Sequence, residues 1–228
     1  MVSRILFITG TDTGVGKTVL TSLLARHLRE RGVAVAALKP ICSGGRADAR
    51  ALHSSQNGAL TLDEINPWHF RAPLAPLLAA RREHRRVDLA NVLAHVRSVQ
   101  RRFDVVLVEG AGGLLSPLGE DFNARDLMIA LGAVPVIVCL NRLGVVNHAL
   151  LTVEALPRVV ARRAPVVLIS PRRPDLASRT NPRLLAGILG PDRVHEFPWL
   201  SAAGASGRAL ASIRIRHVLD ALHAGLTG

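Results

Sequence analysis

Gly10-Thr-Asp-Thr-Gly-Val-Gly-Lys17-Thr18 is the stretch that decides how this chain folds. It follows the apolar run Ile5–Thr9 and opens Lys17–Arg31, a segment with helical spacing of apolar residues. A strand, a glycine-rich turn and a helix in that order form the context of a phosphate-binding loop. Glycines let the backbone curl until its N–H groups face phosphate oxygens, and the positive end of the helix adds to the attraction. The loop is therefore read as a nucleoside triphosphate site formed by Asp12, Thr13, Gly14, Val15, Gly16, Lys17, Thr18 and Val19. Lys17 is expected at the β- and γ-phosphates, and the Thr18 hydroxyl on a magnesium ion. Five residues separate Gly10 from Gly16 where the usual motif has four, but the Gly-Lys-Thr end is intact.

Outward from the loop, short apolar runs alternate with helical stretches. The strand candidates are Ile5–Thr9, Val33–Leu38, Val105–Val108, Val134–Leu140, Val166–Ser170 and Val194–Phe197. They are continuous runs rather than alternating ones, as parallel strands buried on both faces require. Helices are expected over Lys17–Arg31, Leu89–Arg101, Val146–Arg163 and Ala209–Leu226, with Pro157 interrupting the third. The segment Pro171–Pro182, rich in Arg and Pro, reads as an irregular loop. The pattern predicts a single α/β domain over residues 1–228: a P-loop NTPase-like, mostly parallel sheet with helices on both faces.

Composition narrows the function. The formal charge is +12, yet the arginines are scattered, and their densest cluster (Arg81, Arg82, Arg85, Arg86) has no interleaved aromatic residue. Tyr is absent, so stacking platforms for nucleic acid are scarce and a nucleic-acid partner is not expected. Only two of the 29 basic residues are lysine, Lys17 and Lys39, and both fall in motif-like segments. A compact ammonium fits among phosphate oxygens where a planar guanidinium does not. There is no apolar run long enough to span a bilayer and no signal-peptide pattern in Met1–Ile8, so a cytoplasmic location without membrane contact is expected. Cys42 and Cys139 have no metal-ligand spacing; Cys139 reads as core, and the role of Cys42 stays open.

Ligands of open α/β sheets bind beyond the carboxyl ends of the strands. The second run ends in Lys39-Pro-Ile-Cys-Ser43-Gly44 followed by Asp48, the third in Glu109-Gly-Ala-Gly112-Gly113, and the fourth in Asn141-Arg-Leu-Gly followed by Asn147-His148. A carboxylate at the end of an apolar strand is costly without a partner, and a magnesium ion on Glu109 compensates it. Asp48 is either a second carboxylate for that ion or the N-cap of a helix over Ala49–Leu52. The histidines form no metal-ligand pairing, and there is no G-x-S-x-G elbow for a serine nucleophile.

Taken together, Gly10–Thr18, Lys39-Pro with Ser43-Gly44, Asp48, Val108-Glu-Gly-Ala-Gly-Gly113, Leu143-Gly with Asn147-His-Ala-Leu-Leu-Thr152, and Pro198-Trp-Leu200 resemble the dethiobiotin synthetases. The motifs keep the family's order and spread over most of the chain. The resemblance implies ATP-dependent closure of a cyclic urea from 7,8-diaminononanoate and carbon dioxide, through a carbamate and a carbamic–phosphoric anhydride, with release of ADP and phosphate. It further implies Thr18, Asp48 and Glu109 on magnesium, and Lys17 and Lys39 as charge-neutralising catalytic residues. Thr13, Ser43 and Gly112 would hold the carbamate end of the substrate. Leu143 and Asn147 would line the pocket beside the partner subunit of a homodimer.

The chain also departs from the family. An asparagine that reads the adenine edge after the fifth strand has no counterpart in Ser170-Pro-Arg-Arg-Pro174, and Asn181 lies too far along. A weakened preference for ATP over other triphosphates is expected. Three alternatives stand beside the synthetase. One is an amide-forming relative, for which the chain lacks a glutaminase domain. Another is a partition-type ATPase switch binding DNA or a partner protein, which usually carries a second lysine early in its loop. The third is a degenerate synthetase that binds nucleotide without turnover.

Overall fold

The computed structural model describes residues 3–200 and 207–227. Its elements are β1 (Arg4–Gly10), α1 (Lys17–Glu30), β2 (Val35–Leu38), β3 (Ile41–Ser43), α2 (Ala47–Ser55), α3 (Leu62–Ile65), β4 (Trp68–Phe70), α4 (Pro76–Arg82), α5 (Leu89–Gln100), β5 (Val105–Glu109), α6 (Ala124–Ala130), β6 (Val134–Leu140), α7 (Val145–Glu154), α8 (Arg158–Ala161), β7 (Val166–Ile169), α9 (Leu176–Leu189), β8 (Val194–Phe197) and α10 (Ile213–Thr227). Six strands form one sheet in the order β2-β5-β1-β6-β7-β8, and every neighbouring pair is parallel. Right-handed crossovers then fix the layers. The step from β1 to β2 runs one way along the sheet and all later steps run the other. Helix α1 therefore lies on one face, where α10 packs against it, and α5, α6, α7 and α9 lie on the opposite face.

This order brings the expected site residues together. β1 sits between β5 and β6, so the chain reverses its direction across the sheet around the strand that feeds the phosphate loop. In the ladders Ile8 pairs with Glu109, and Leu38 pairs with Val108. Lys39, one residue past Leu38, thus emerges beside Glu109. The inner strands are largely apolar because both faces are covered; every residue of β2, β5 and β7 is buried.

The six expected strands all form, with boundaries moved by two residues at most. Helix formation over Val146–Arg163 is interrupted as expected: α7 ends at Glu154, and Pro157 precedes α8. The helix expected from Ala209 starts at Ile213, after a 3-10 turn over Gly207–Ala211. Helices α3, α4 and α6 were not foreseen, and neither were two features near the site and the far edge of the sheet. A two-stranded parallel ribbon pairs β3 with β4 at the end of β2. The segment Pro171–Pro182 is not wholly irregular, since α9 starts at Leu176 and carries Pro182 inside it.

Proline breaks most helices by removing a donor to the carbonyl four residues back. Here that carbonyl, on Ser178, accepts instead from Asn141 Nδ2 at 2.7 Å. Asn141 stands one residue past β6, and its Oδ1 accepts from Asn181 Nδ2 at 3.0 Å. A capping box between Asp175 and Ser178 starts the helix. Neighbouring side chains thereby supply what the proline withholds.

Candidate active site

The loop after β1 has the backbone that its glycines permit. Gly14 and Gly16 have φ of 70° and 101°, in the left-handed region. Val15 is buried against Gly10, where an added Cβ would stand 2.8 Å from Val15 Cγ2. Asp12 Oδ1 accepts the Thr13 N–H at 2.7 Å and holds the exposed rim of the loop. Lys17 folds over it: its Nζ donates to the carbonyls of Asp12 and Gly112, both at 2.7 Å. Burial, helped by the nearby Lys39 ammonium, lowers the Lys17 pKa to about 8.

Beside it lies a buried charge cluster. Lys39 Nζ is 2.6 Å from Glu109 Oε1, 3.1 Å from Asp48 Oδ2 and 3.1 Å from the Gly110 carbonyl. Thr18 Oγ1 donates to the same Glu109 oxygen at 2.8 Å. Burial alone pulls the Lys39 pKa down; Glu109 first and then Asp48 outweigh it and hold the ammonium above its ordinary value. For Asp48, burial pushes the carboxyl up, and the Lys39 charge overrides it, leaving the group below the usual carboxylate range. Asp48 is therefore not the helix cap that spacing alone allowed. Arg46 precedes α2, and the Asp48 side chain serves the cluster from the first turn.

Glu109 Oε2 is buried and has no hydrogen-bond partner. That orphaned oxygen, with the Thr18 hydroxyl and the Asp48 carboxylate, is a donor set of the kind a hard divalent cation takes. Among the described residues no group of three or more His, Cys, Asp and Glu side chains gathers as a metal cage. Two carboxylates and a hydroxyl suit an ion that takes its remaining ligands from phosphate and water.

These groups share a cavity of about 370 Å³, whose walls include Thr13, Gly14, Gly16, Val19 and Gly112. Ser43 lies on its wall from β3, with its hydroxyl donating to the Leu74 carbonyl at 2.6 Å. Gly112, at φ 70°, has no room for a side chain: a Cβ there would stand 2.3 Å from Ser116 Oγ. Leu143 and Asn147 lie elsewhere, exposed at the start of α7 and outside this cavity's lining. A second hollow of about 400 Å³ lies on the loop between Thr11, Asp12, Leu115 and Leu151, the last of these from α7.

Sequence reasoning left the role of Cys42 open and missed Asn66. The Cys42 thiol lines the cavity, is pushed up in pKa by burial, and bonds to Asn66 Oδ1 at 3.1 Å. The signal for Asn66 was an amide between an apolar residue and a proline, Ile65-Asn66-Pro67. Asn181, which the sequence placed too far along to match the family's base-reading amide, is occupied within the fold. It is buried, and its Nδ2 is committed to Asn141 Oδ1 and the Arg142 carbonyl.

A phosphate loop at the end of the central strand, with two ammonium groups and two carboxylates gathered beside it, defines a P-loop nucleotide-dependent enzyme. The AAA domain family model matches residues 4–206. The ATP-dependent dethiobiotin synthetase BioD of Anaeromyxobacter dehalogenans (strain 2CP-C) is 41% identical over 92% of this chain and 96% of its own. That of Anaeromyxobacter sp. (strain Fw109-5) is 47% identical over 67% and 70%. The chain belongs to the ATP-dependent dethiobiotin synthetase family and is an ATP-dependent ligase. Among solved structures, the MinD cell division protein of Aquifex aeolicus aligns with TM-score 0.63 at 15% identity over 99% of this chain and 98% of its own. A ParA family ATPase from Chlorobium tepidum TLS aligns with TM-score 0.60 at 15% identity, over 97% and 99%. At that identity these two show a shared fold alone. No helix among the described residues is long and apolar enough to cross a membrane.

Proposed function

We propose that this chain, acting as a single P-loop domain within a homodimer, closes the cyclic urea of dethiobiotin from 7,8-diaminononanoate and carbon dioxide at the expense of ATP. The observation that carries this reading is the Lys39 ammonium, held between Glu109 and Asp48 within reach of the phosphate loop. One amine of the substrate adds to carbon dioxide and loses a proton, giving a carbamate. A carbamate oxygen attacks the γ-phosphorus, and ADP leaves. The second amine then attacks the carbamate carbon of the mixed anhydride, and phosphate departs as the ring closes.

Such a reaction needs positioning and charge neutralisation more than covalent help from the protein. Lys17 exchanges its loop carbonyls for the β- and γ-oxygens. Lys39 neutralises the carbamate and the transferring phosphoryl group. Thr18, Asp48 and Glu109 would hold a magnesium ion, which supplies charge compensation for the phosphates. Thr13, Ser43 and the Gly112 backbone hold the carbamate end of the substrate. Leu143 and Asn147 act from the dimer interface, and the exposed Leu115 and Leu151 beside the loop support a partner surface there.

The test is phosphate release from magnesium and ATP with bicarbonate, with and without the diamine. Diamine-dependent release with dethiobiotin as product supports the reading. Hydrolysis indifferent to the diamine, or none, refutes it.

A further inference from the structure

Lys39 and Asp48 come from different elements, the end of β2 and the first turn of α2, and something must fix the gap between them. The Ile65–Asn66 segment, at the C-terminal end of α3, holds both main-chain groups of Lys39. The Lys39 N–H donates to the Ile65 carbonyl at 3.0 Å, and Asn66 Nδ2 donates to the Lys39 carbonyl at 2.7 Å. The other end of the same amide faces the helix. Asn66 Oδ1 accepts from Arg46 Nε at 3.2 Å and from the Cys42 thiol at 3.1 Å. Arg46 precedes α2 directly, two residues before Asp48. Its guanidinium also binds the carbonyls of Leu62 and Asn66 and pairs with Asp63 at 2.8 Å.

We infer that Asn66, anchored by Arg46, is a positioning residue that sets the separation of the Lys39 ammonium and the Asp48 carboxylate. It is fully buried and lines no part of the cavity, so it acts through those two groups. Only an amide suits the place. Arg46 Nε can only donate and the Lys39 carbonyl can only accept, so the side chain must present one acceptor and one donor, in that orientation. A carboxylate would turn lone pairs on the Lys39 carbonyl, and an apolar residue would leave two buried groups unpaired. The kinetic consequence rests on the function proposed above; the geometric one does not.

The chain's two lysines make the test direct, because lysine labelled with ¹³C and ¹⁵N gives one side-chain signal each for Lys17 and Lys39. In ligand-free Asn66→Ala and Arg46→Ala, the Lys39 signal is expected to move and the Lys17 signal to stay. Diamine-dependent kcat should fall by about tenfold or more, with KM for ATP within about twofold, as misplacement of a group at the reacting centre produces. A purely structural role lowers Tm and leaves both signals and kcat in place; that result overturns the inference. So does a moved Lys39 signal with unchanged kcat. If the wild-type protein itself lacks diamine-dependent turnover, the proposed function fails and the Lys39 signal alone decides the positioning. If Asn66→Ala does not fold, the partly exposed Arg46 variant decides.

Discussion

Lys39 Nζ lies 2.6 Å from Glu109 Oε1, and that carboxylate's other oxygen is buried with no partner. The ammonium balances a charge that the apolar end of β5 could not carry alone. It also draws on the same two carboxylates that would hold a divalent cation, so ammonium and cation compete for the negative charge of Glu109 and Asp48.

Removing the ammonium should therefore favour the cation. In nucleotide-free protein, Lys39→Met is expected to tighten Mn²⁺ binding, read by EPR, by at least about tenfold, the modest end of what a unit charge a few ångströms away contributes. Lys17→Met is the control. Lys17 is bonded to carbonyls rather than carboxylates, and its loss should have a smaller effect. Turnover in Lys39→Met should be lost while the circular dichroism spectrum is kept. Equal tightening in both variants would mean a diffuse field rather than a contest for the same two carboxylates.

Lys17 should give nucleotide binding a proton signature. Its pKa in the free protein is lowered to about 8 by burial, with Lys39 adding to the effect. Phosphate oxygens around the group favour the charged form, so nucleotide binding raises that pKa and takes up protons near pH 8 to 9. Calorimetry in buffers of different ionisation enthalpy should show uptake there and little at pH 6.5, where Lys17 is already charged. For stability the sign is opposite to that of a salt-bridged lysine. The folded pKa is below the unfolded 10.5, so between about 8 and 10.5 the unfolded chain binds more protons and this group's contribution to stability rises with pH. Lys17→Arg should bind nucleotide poorly at every pH, since a guanidinium does not fit the loop.

Base selectivity should be weak. Both amides, Asn141 just past β6 and Asn181 inside α9, are spent on each other and on backbone, and the chain after β7 offers Ser170, Pro171 and an Arg172 stacked 5.7 Å over Trp199. A site that does not pair its base through an amide discriminates little. Side-by-side kinetics with ATP, CTP and GTP should give kcat/KM values within about tenfold of one another. A preference for ATP of a thousandfold would show that other groups read the base.

The proposed dimer is open to a surface test. Leu115 and Leu151 are 56% and 61% exposed on the hollow that flanks Asp12, and Leu143, just before α7, is 83% exposed. Leu151→Arg should weaken self-association by at least about tenfold in sedimentation, as loss of an apolar anchor does at interfaces. Turnover should fall with the dimer. A protein that stays dimeric and active places its interface elsewhere.

Much of this was legible in the sequence because the strands are buried on both faces, and buried runs such as Val134–Leu140 declare themselves without alternation. The loop was legible because glycine, lysine and threonine have few reasons to stand in that order otherwise. The Lys39–Glu109 contact was not, since it depends on the ladder register that sets Leu38 beside Val108. The β3–β4 ribbon escaped because three-residue strands carry too little pattern, and Asn66 because a buried amide looks like any loop asparagine.

Helix α9 was missed for a reason that can itself be tested. Pro182 reads as a breaker, and in isolation it is one, because the Ser178 carbonyl would lose its donor. Asn141 Nδ2 fills that place at 2.7 Å. Asn141→Ala leaves the buried carbonyl unsatisfied and should destabilise the fold by about 1–3 kcal/mol in urea unfolding. In a Pro182→Ala background the alanine N–H can donate to Ser178 itself, so the same Asn141→Ala change should cost about 1 kcal/mol less. The double-mutant cycle isolates this coupling from the methylene packing that Asn141 also contributes. If the two changes are additive, the Asn141 amide is not what makes the proline tolerable, and α9 holds together through its capping box and its packing against β8 alone.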